Sequence, residues 1–391
     1  MPPGRIRGKL PFPRMQAIDT MAQSKTPAAE KTPYSDLPAK AFWRSAVAEA
    51  GIFGLEDLWT SKWELPADAR FSTFGSCFAQ HISAALASRK MNWFNAEPAP
   101  KRTPPALARD FNYGVFSART GNVYTAAQLR YLVGLADGSV TAGAADIWPE
   151  VFKGGERFWD SLRPAIEPRG FASAEELILS RAATARAFRR AVAETDVFVF
   201  TLGLTEGWRN SRTGQPYPMC PGTLAGSFDP ALHEFYPARY PAIHDDLEAA
   251  FAAMRVLNPE LRILLTVSPV PLTATASGDH VLKSTTYSKS TLRAVAGDFA
   301  ADAEWIDYFP SYEIISGAPA RAMFFEPNMR SVSPHGVNYV MTHFFAGLQM
   351  NKERKYTGPD EDEERDRAAE EAMAAEDIIC EEMTLDRHSA A

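Results

Sequence analysis

The stretch that decides the fold runs Phe71-Ser-Thr-Phe-Gly75-Ser-Cys77-Phe-Ala-Gln-His-Ile-Ser-Ala-Ala-Leu-Ala-Ser-Arg89. The apolar residues before Gly75 predict the end of a short strand. The residues after it recur at helical spacing, namely Phe78, Ile82, Ala85, Leu86 and Arg89. Gly75-Ser76-Cys77 is therefore predicted to be a strand-to-helix turn, where unpaired backbone N–H groups and the helix dipole favour negative charge. A thiolate or alkoxide nucleophile would be stabilised there, and the same N–H groups could hold the oxyanion of an acyl intermediate.

The rest of the chain alternates helical and strand patterns. Predicted strands follow at 92–94, 197–202, 262–268 and 305–308, and predicted helices lie at 126–135, 173–194, 242–257 and 290–303. Residues 138–169 are expected to form an inserted hairpin, and residues 111–125 a long loop over the site. Helices that alternate with fully apolar strands indicate βαβ units. The predicted fold class is therefore α/β, a three-layer α/β/α sandwich around a mostly parallel sheet.

Small or polar residues follow three of the predicted strands. They are Gly75-Ser-Cys77, Gly203-Leu-Thr-Glu206 and Ser268-Pro-Val-Pro271. Ligands of open α/β sheets bind outside the carboxyl ends of the strands. We therefore expect these three segments to form the walls of one site.

Composition narrows the class of protein. The net charge of −7 argues against a nucleic-acid partner, which would need an excess of Lys and Arg. No apolar run reaches the roughly 20 residues that are needed to cross a bilayer. The basic residues near the start are not followed by the apolar run that a secretory signal would have. A cytoplasmic protein is therefore expected. Three scattered cysteines predict neither a disulfide framework nor a zinc site, and a metal-free site is expected.

The two ends of the chain differ from its middle. Residues 1–38 are rich in Pro, Lys, Ser and Thr without periodicity, which predicts a disordered segment. Residues 351–391 are dominated by charged residues and predict a solvated tail. The predicted α/β domain spans residues 39–350, with an aromatic-rich stretch at 39–66 expected to cover one flank of the core.

Four blocks in order resemble the GSCFA family. They are Gly75-Ser-Cys-Phe-Ala79, Thr201-Leu-Gly-Leu-Thr-Glu-Gly-Trp208, Thr266-Val-Ser-Pro-Val-Pro271 and Ser288-Lys-Ser-Thr-Leu-Arg293. The resemblance covers about Phe71 to Tyr312. That family is related to the SGNH, or GDSL-like, hydrolases, which have a flavodoxin-like sheet and act as esterases or acyltransferases, often on O-acetyl groups of carbohydrate. The resemblance thus implies a fold and a reaction class rather than a substrate, and a carbohydrate or polysaccharide is the expected substrate.

The resemblance also implies site residues. Matching Gly-Asp-Ser of the superfamily to Gly75-Ser76-Cys77 places the nucleophile at Cys77, with Ser76 as the alternative. Gly203 and Thr205 fall where the superfamily has Gly-Xaa-Asn-Asp, so Thr205 would replace the oxyanion-binding Asn, and Glu206 would orient a base or a substrate hydroxyl. His335 is the first choice for the base because it precedes the last helix, although no Asp lies three residues before it.

Two further site assignments and two functions stay open. His280, in the predicted loop after a strand end and beside Asp279, is the second choice for the base. The N–H groups of Cys77 and Phe78 would complete the oxyanion hole. The leading expectation is an esterase or O-acyltransferase that needs no cofactor beyond an acyl donor such as acetyl-coenzyme A. The alternative is a non-catalytic carbohydrate-binding protein on the same fold, and the sequence predicts no oligomeric state.

Overall fold

The computed structural model describes residues 31–141, 146–152, 155–351 and 384–385. Ten strands are found in these ranges: β1 (Arg70–Gly75), β2 (Asn92–Trp93), β3 (Ile147–Phe152), β4 (Gly155–Asp160), β5 (Val197–Leu202), β6 (Glu206–Asn210), β7 (Pro216–Tyr217), β8 (His233–Pro237), β9 (Arg262–Val267) and β10 (Ile306–Phe309). The same ranges hold eight α-helices: α1 (Ala79–Ser88), α2 (Pro105–Asp110), α3 (Ala126–Asp137), α4 (Ala174–Ala193), α5 (Tyr240–Leu257), α6 (Val281–Asp302), α7 (Ser311–Ser316) and α8 (Pro334–Gly347).

A five-stranded sheet, in the order β2-β1-β5-β9-β10, forms the centre of the protein. Every neighbouring pair in it is parallel. Counted along the chain, this is the order 2-1-3-4-5 of flavodoxin-like sheets, in which the strand order reverses between the first and third strands. The reversal falls here between β1 and β5, where Gly75 pairs with Thr201. The predicted fold class is therefore confirmed.

Two layers of helices cover the sheet because its strands are apolar on both faces. All six residues of β5 are buried. Phe74, Phe198 and Phe200 pack against α3, α4, α5 and α6 on one face. Phe71 and Val199 pack against α1, α7 and α8 on the other face. α1 and α6 follow the carboxyl ends of β1 and β9, so their first turns lie at the same edge of the sheet as those strand ends.

Two smaller sheets extend the central one. β3 and β4 form an antiparallel hairpin inside the predicted insertion. The second sheet, in the order β7-β6-β8, is antiparallel and was not expected. It begins at Glu206, directly after the end of β5. The predicted turn Gly203–Glu206 thus joins the central sheet to this second sheet.

Several boundaries predicted from the sequence were wrong. α6 begins at Val281 rather than Ser290, because His280 caps it and the polar residues of its first turns hide the helical pattern. On α4, Ile178 is exposed, whereas Arg181 and Thr184 are buried. In the aromatic stretch, Trp59 packs against Phe309, whereas Trp43 is 67% exposed.

The expected end segments lie mostly outside the described residues, so the boundaries at residues 38 and 351 stay predictions. The last described part of the main domain is tied to its start by a parallel bridge between Leu65 and Met350. Among the helices in the described ranges, none has the length and apolar character needed to cross a membrane.

Candidate functional site

The turn after β1 can be made only with glycine at its first position. Gly75 has φ of +134°, and a Cβ there would lie 2.4 Å from the backbone oxygen of Thr201. The N–H of Ser76 donates to the same oxygen at 3.0 Å, and the N–H of Ala79 donates to the Ser76 carbonyl at 2.8 Å. The chain therefore passes tightly over the end of β5 and turns at once into α1.

Both candidate nucleophiles in this turn are buried. Ser76 is 2% exposed and Cys77 is 5% exposed. The Ser76 hydroxyl is enclosed and has no hydrogen-bond partner among the described residues. Cys77 carries a thiol rather than a disulfide. An enclosed hydroxyl without a hydrogen-bond partner lowers the stability of the folded state, so its presence at the end of a strand points to a functional role.

Phe78 contributes to the core as well as to the turn. Its side chain is 1% exposed and packs among the residues between the sheet and α1 and α8. Phe78 is also the N-cap of α1, so its backbone N–H lies at the start of this helix. The predicted roles of the Cys77 and Phe78 N–H groups as oxyanion donors stay predictions.

The turn after β5 lies directly against the first turn. A Cβ placed on Gly203 would lie 2.9 Å from the Ser76 Cβ and 3.0 Å from the Tyr124 carbonyl oxygen. The loop predicted to lie over the site joins the two turns. Tyr124 accepts hydrogen bonds from the N–H groups of Gly203 and Leu204, at 3.1 and 2.9 Å, and the N–H of Val123 donates to the Gly75 carbonyl at 2.8 Å.

Helix α6 holds the second turn from the other side. The N–H of Thr205 donates to the Ser288 hydroxyl at 3.0 Å, and the Lys289 ammonium donates to the Gly203 carbonyl at 2.6 Å. Lys289 is 1% exposed and Thr205 is 2% exposed. Sequence reasoning missed the role of Ser288 and Lys289, because the predicted start of the helix fell after them.

Glu206 joins the second turn to the third strand end. The Thr275 hydroxyl lies 2.9 Å from each of its carboxylate oxygens, and this hydroxyl also lies 2.7 Å from that of Ser277. Burial raises the pKa of Glu206, while the hydrogen bonds from Thr275 and Ser284 act in the opposite direction. The second strand end thus contacts the first, through Gly203 and Ser76, and the third, where the Ser268 N–H donates to the Leu202 carbonyl at 2.8 Å.

A cavity of about 260 Å³ opens beside Glu206. Its walls are formed by Leu204, Trp208, Cys220, Phe235, Leu272 and Thr275. Burial raises the pKa of the Cys220 thiol to about 11, so this second thiol is protonated at neutral pH. Leu385, near the end of the chain, also lines this cavity. A second cavity, of about 160 Å³, lies on the side of Thr205 and contacts Tyr236.

The two predicted bases lie on opposite helical layers. His280 is the N-cap of α6, and its Nδ1 accepts the N–H of Leu282 at 3.2 Å, which gives this exposed ring a structural role. His335 is exposed in the first turn of α8, and its ring packs against Phe53 and Phe324 at 5.9 and 5.7 Å between centroids. Among the described residues, neither histidine ring is found in a hydrogen bond or ring contact with Ser76. The assignment of the base therefore stays a prediction.

A third histidine lies closer in sequence to the first turn. His81 is on α1, four residues after Cys77, and its ring contacts that of Phe78 at 5.3 Å. Burial lowers the pKa of His81 to about 4, so the ring is neutral at pH 7.

One group of metal-ligand type is found outside these turns. On α5, His244, Asp245 and Glu248 each offer an atom, and these atoms lie within 4.8 Å of one another. The two acidic residues are exposed, and such groups are common on surfaces without an ion. The sequence analysis did not single out this spacing.

The fold and the three joined strand ends define an α/β protein with a candidate site at the reversal point of a parallel sheet. Residues 70–344 match the model of the GSCFA family, so the chain belongs to that family. The match includes all four blocks noted in the sequence and extends into α8. No curated protein is similar enough in sequence to give a significant match.

Proposed function

We propose that the protein is an esterase or O-acyltransferase of the SGNH type, which acts on an acyl group, expected to be O-acetyl, of a carbohydrate or polysaccharide. One observation carries the proposal: the thiol and the hydroxyl of the first turn are buried at the amino end of α1, and Ser76 packs against Gly203 of the second turn. A helix amino terminus lowers the pKa of a thiol, and its N–H groups are suited to bind an oxyanion. Membership of the GSCFA family agrees with this class but does not identify the substrate.

The proposed reaction has two steps. The Cys77 thiolate attacks the acyl carbonyl carbon, and a carbon–sulfur bond forms while the carbonyl oxygen becomes an oxyanion. When this intermediate collapses, the bond to the leaving alcohol or thiol breaks, and the leaving group takes a proton from the protonated base. Water or a sugar hydroxyl then attacks the thioester, gives its proton to the base and releases the thiolate. Water as the acceptor makes the protein an esterase, and a sugar hydroxyl makes it an acyltransferase.

The cavity beside Glu206 supports a sugar as the acceptor or the acyl carrier. Its walls combine the rings of Trp208 and Phe235 with the carboxylate of Glu206. An aromatic face against the apolar side of a sugar ring, with a carboxylate for its hydroxyls, would bind such a substrate. The same walls also support the alternative, a non-catalytic carbohydrate-binding protein, because binding alone does not require Cys77.

Turnover of an aryl acetate separates the two functions. With hydrolysis or transfer of the thioester slower than its formation, the enzyme should release a burst of phenol equal to the protein concentration. Cys77→Ala should remove the burst, and Ser76→Ala should keep it with a loss of roughly one to two powers of ten in rate. A burst that survives Cys77→Ala but not Ser76→Ala would identify Ser76 as the nucleophile. If neither acetyl-coenzyme A nor an aryl acetate is turned over, the binding function is favoured.

A further inference from the structure

Lys289 is the buried cation of the candidate site. Its side chain is among the largest that are fully enclosed, and it projects from α6 to the Gly203 carbonyl at 2.6 Å. Burial of an ammonium has an unfavourable desolvation free energy, so a protein retains one in its interior only where its hydrogen bonds and charge interactions offset that free energy. The residue that it holds, Gly203, is the one that packs on Ser76.

The hydrogen bonds continue from Lys289 to the first turn. Gly203 donates its N–H to the Tyr124 carbonyl, and the neighbouring Val123 donates its N–H to the Gly75 carbonyl, at 3.1 and 2.8 Å. One residue earlier on α6, Ser288 accepts the N–H of Thr205 at 3.0 Å. The position of the Gly75–Cys77 turn relative to the Gly203–Glu206 turn is therefore fixed through α6 and the 123–124 backbone.

We propose that Lys289 is a positioning residue for the acyl-transfer site, whose ammonium fixes the Gly203 carbonyl of the turn on which Ser76 packs and favours the anion that forms at Cys77, the residue after Ser76. This inference rests on the proposed function. A positive charge inside a shielded interior stabilises a nearby thiolate, since a cation lowers the pKa of an acidic neighbour. Other titratable groups around the two turns are His81 on α1 and Glu206 at the start of β6, and both remain in every variant below.

The test measures the rate at which iodoacetamide alkylates Cys77, followed at pH 7 on the tryptic peptide 71–89 of the full-length protein. This reaction needs the thiolate but no acyl transfer, so it distinguishes a failure of this inference from a failure of the proposed function. Lys289→Met removes the charge and keeps the apolar stem, and Lys289→Arg keeps the charge. Lys283→Met is the matched control, because Lys283 lies on the same helix in an exposed ion pair with Asp279.

We expect Lys289→Met to slow alkylation by about tenfold, which corresponds to a thiol pKa raised by about one unit. Lys289→Arg and Lys283→Met should stay within about twofold of the wild type. If Lys289→Met does not fold, Lys289→Gln takes its place in the comparison with the wild type, since an amide can still donate to the Gly203 carbonyl but has no charge. A folded Lys289→Met or Lys289→Gln protein that is alkylated at the wild-type rate would overturn the proposal.

Discussion

Replacing Gly203 by alanine would test whether the two turns pack as closely as the structure indicates. The new Cβ would lie 2.9 Å from the Ser76 Cβ and 3.0 Å from the Tyr124 oxygen, whereas ordinary contacts begin at 3.4 Å. Both neighbours belong to tight backbone segments, so relief requires a shift of roughly half an ångström in the turn or the loop. Overpacking of this kind costs about 1–3 kcal/mol, and each kcal/mol lowers the melting temperature of a large domain by about 2–4 °C.

The same shift should also reduce reactivity. Misplacement of a reacting group by about 1 Å can cost about a hundredfold in rate, so we expect Gly203→Ala to slow acylation by roughly tenfold or more. The assays are thermal unfolding and the burst rate with an aryl acetate. Gly207→Ala is the control for stability, because a Cβ there meets only Thr125 Cγ2, at 3.5 Å. Gly203→Ala protein that melts with the Gly207→Ala control and acylates at the wild-type rate would refute the packing of Ser76 against this turn.

Three further predictions follow from buried charges and thiols. Iodoacetamide at pH 7 should modify Cys77 before Cys220, because the helix amino terminus activates the Cys77 thiol and burial raises the pKa of Cys220 to about 11. Peptide masses after timed quenching follow both thiols, and modification of Cys220 first would contradict an activated Cys77. Burial raises the pKa of Glu206 above its ordinary 4.5, so the folded state binds the proton more tightly and this group's contribution to stability falls as pH rises from 4.5 through the folded pKa. Glu206→Gln should therefore be more stable than the wild type at pH 7 in urea unfolding, with the difference vanishing below pH 4.5; a difference that does not change with pH would contradict this. The Asp160 carboxylate is enclosed between Arg163 and Arg181, at 2.8 and 2.6 Å, so Asp160→Asn should lower the free energy of unfolding by about 3–5 kcal/mol. Asp246 pairs with the exposed Arg130, so Asp246→Asn should lower it by less than about 1 kcal/mol. Equal losses in the two variants would be inconsistent with the buried cluster.

The central sheet could be predicted because the amino-acid composition of its strands indicates that they are buried on both faces. The run 197–202 is apolar except for Thr201 and is buried on both faces, as expected for a middle strand of a parallel sheet. The cap at Thr125 was also predictable, since its hydroxyl and the Gln128 side chain form a capping box. Both features depend on residues that are close together in the sequence.

The features that were missed depend on residues far apart in the sequence. The antiparallel sheet β7-β6-β8 pairs strands of mixed composition across a long Gly- and Pro-containing connection, which gives no clear alternation. Nothing in the spacing of Lys289 indicates that its ammonium reaches Gly203, 86 residues earlier. His280 was considered as a base because loop histidines lack a structural role, but its capping role appears only once α6 is known to begin at Val281.

The most direct test of the central claim is the position of an acyl group on the chain. The full-length protein would be mixed with an aryl acetate or acetyl-coenzyme A, quenched in acid within the burst and digested with trypsin, and the peptide 71–89 sequenced by tandem mass spectrometry. Acetyl on the Cys77 sulfur, absent from the Cys77→Ala protein, is the predicted result. Acetyl on Ser76 alone would move the nucleophile to Ser76. Acetyl only outside Ser76 and Cys77, or an unmodified peptide 71–89 while the phenol burst is released, would contradict an acyl-enzyme at this turn.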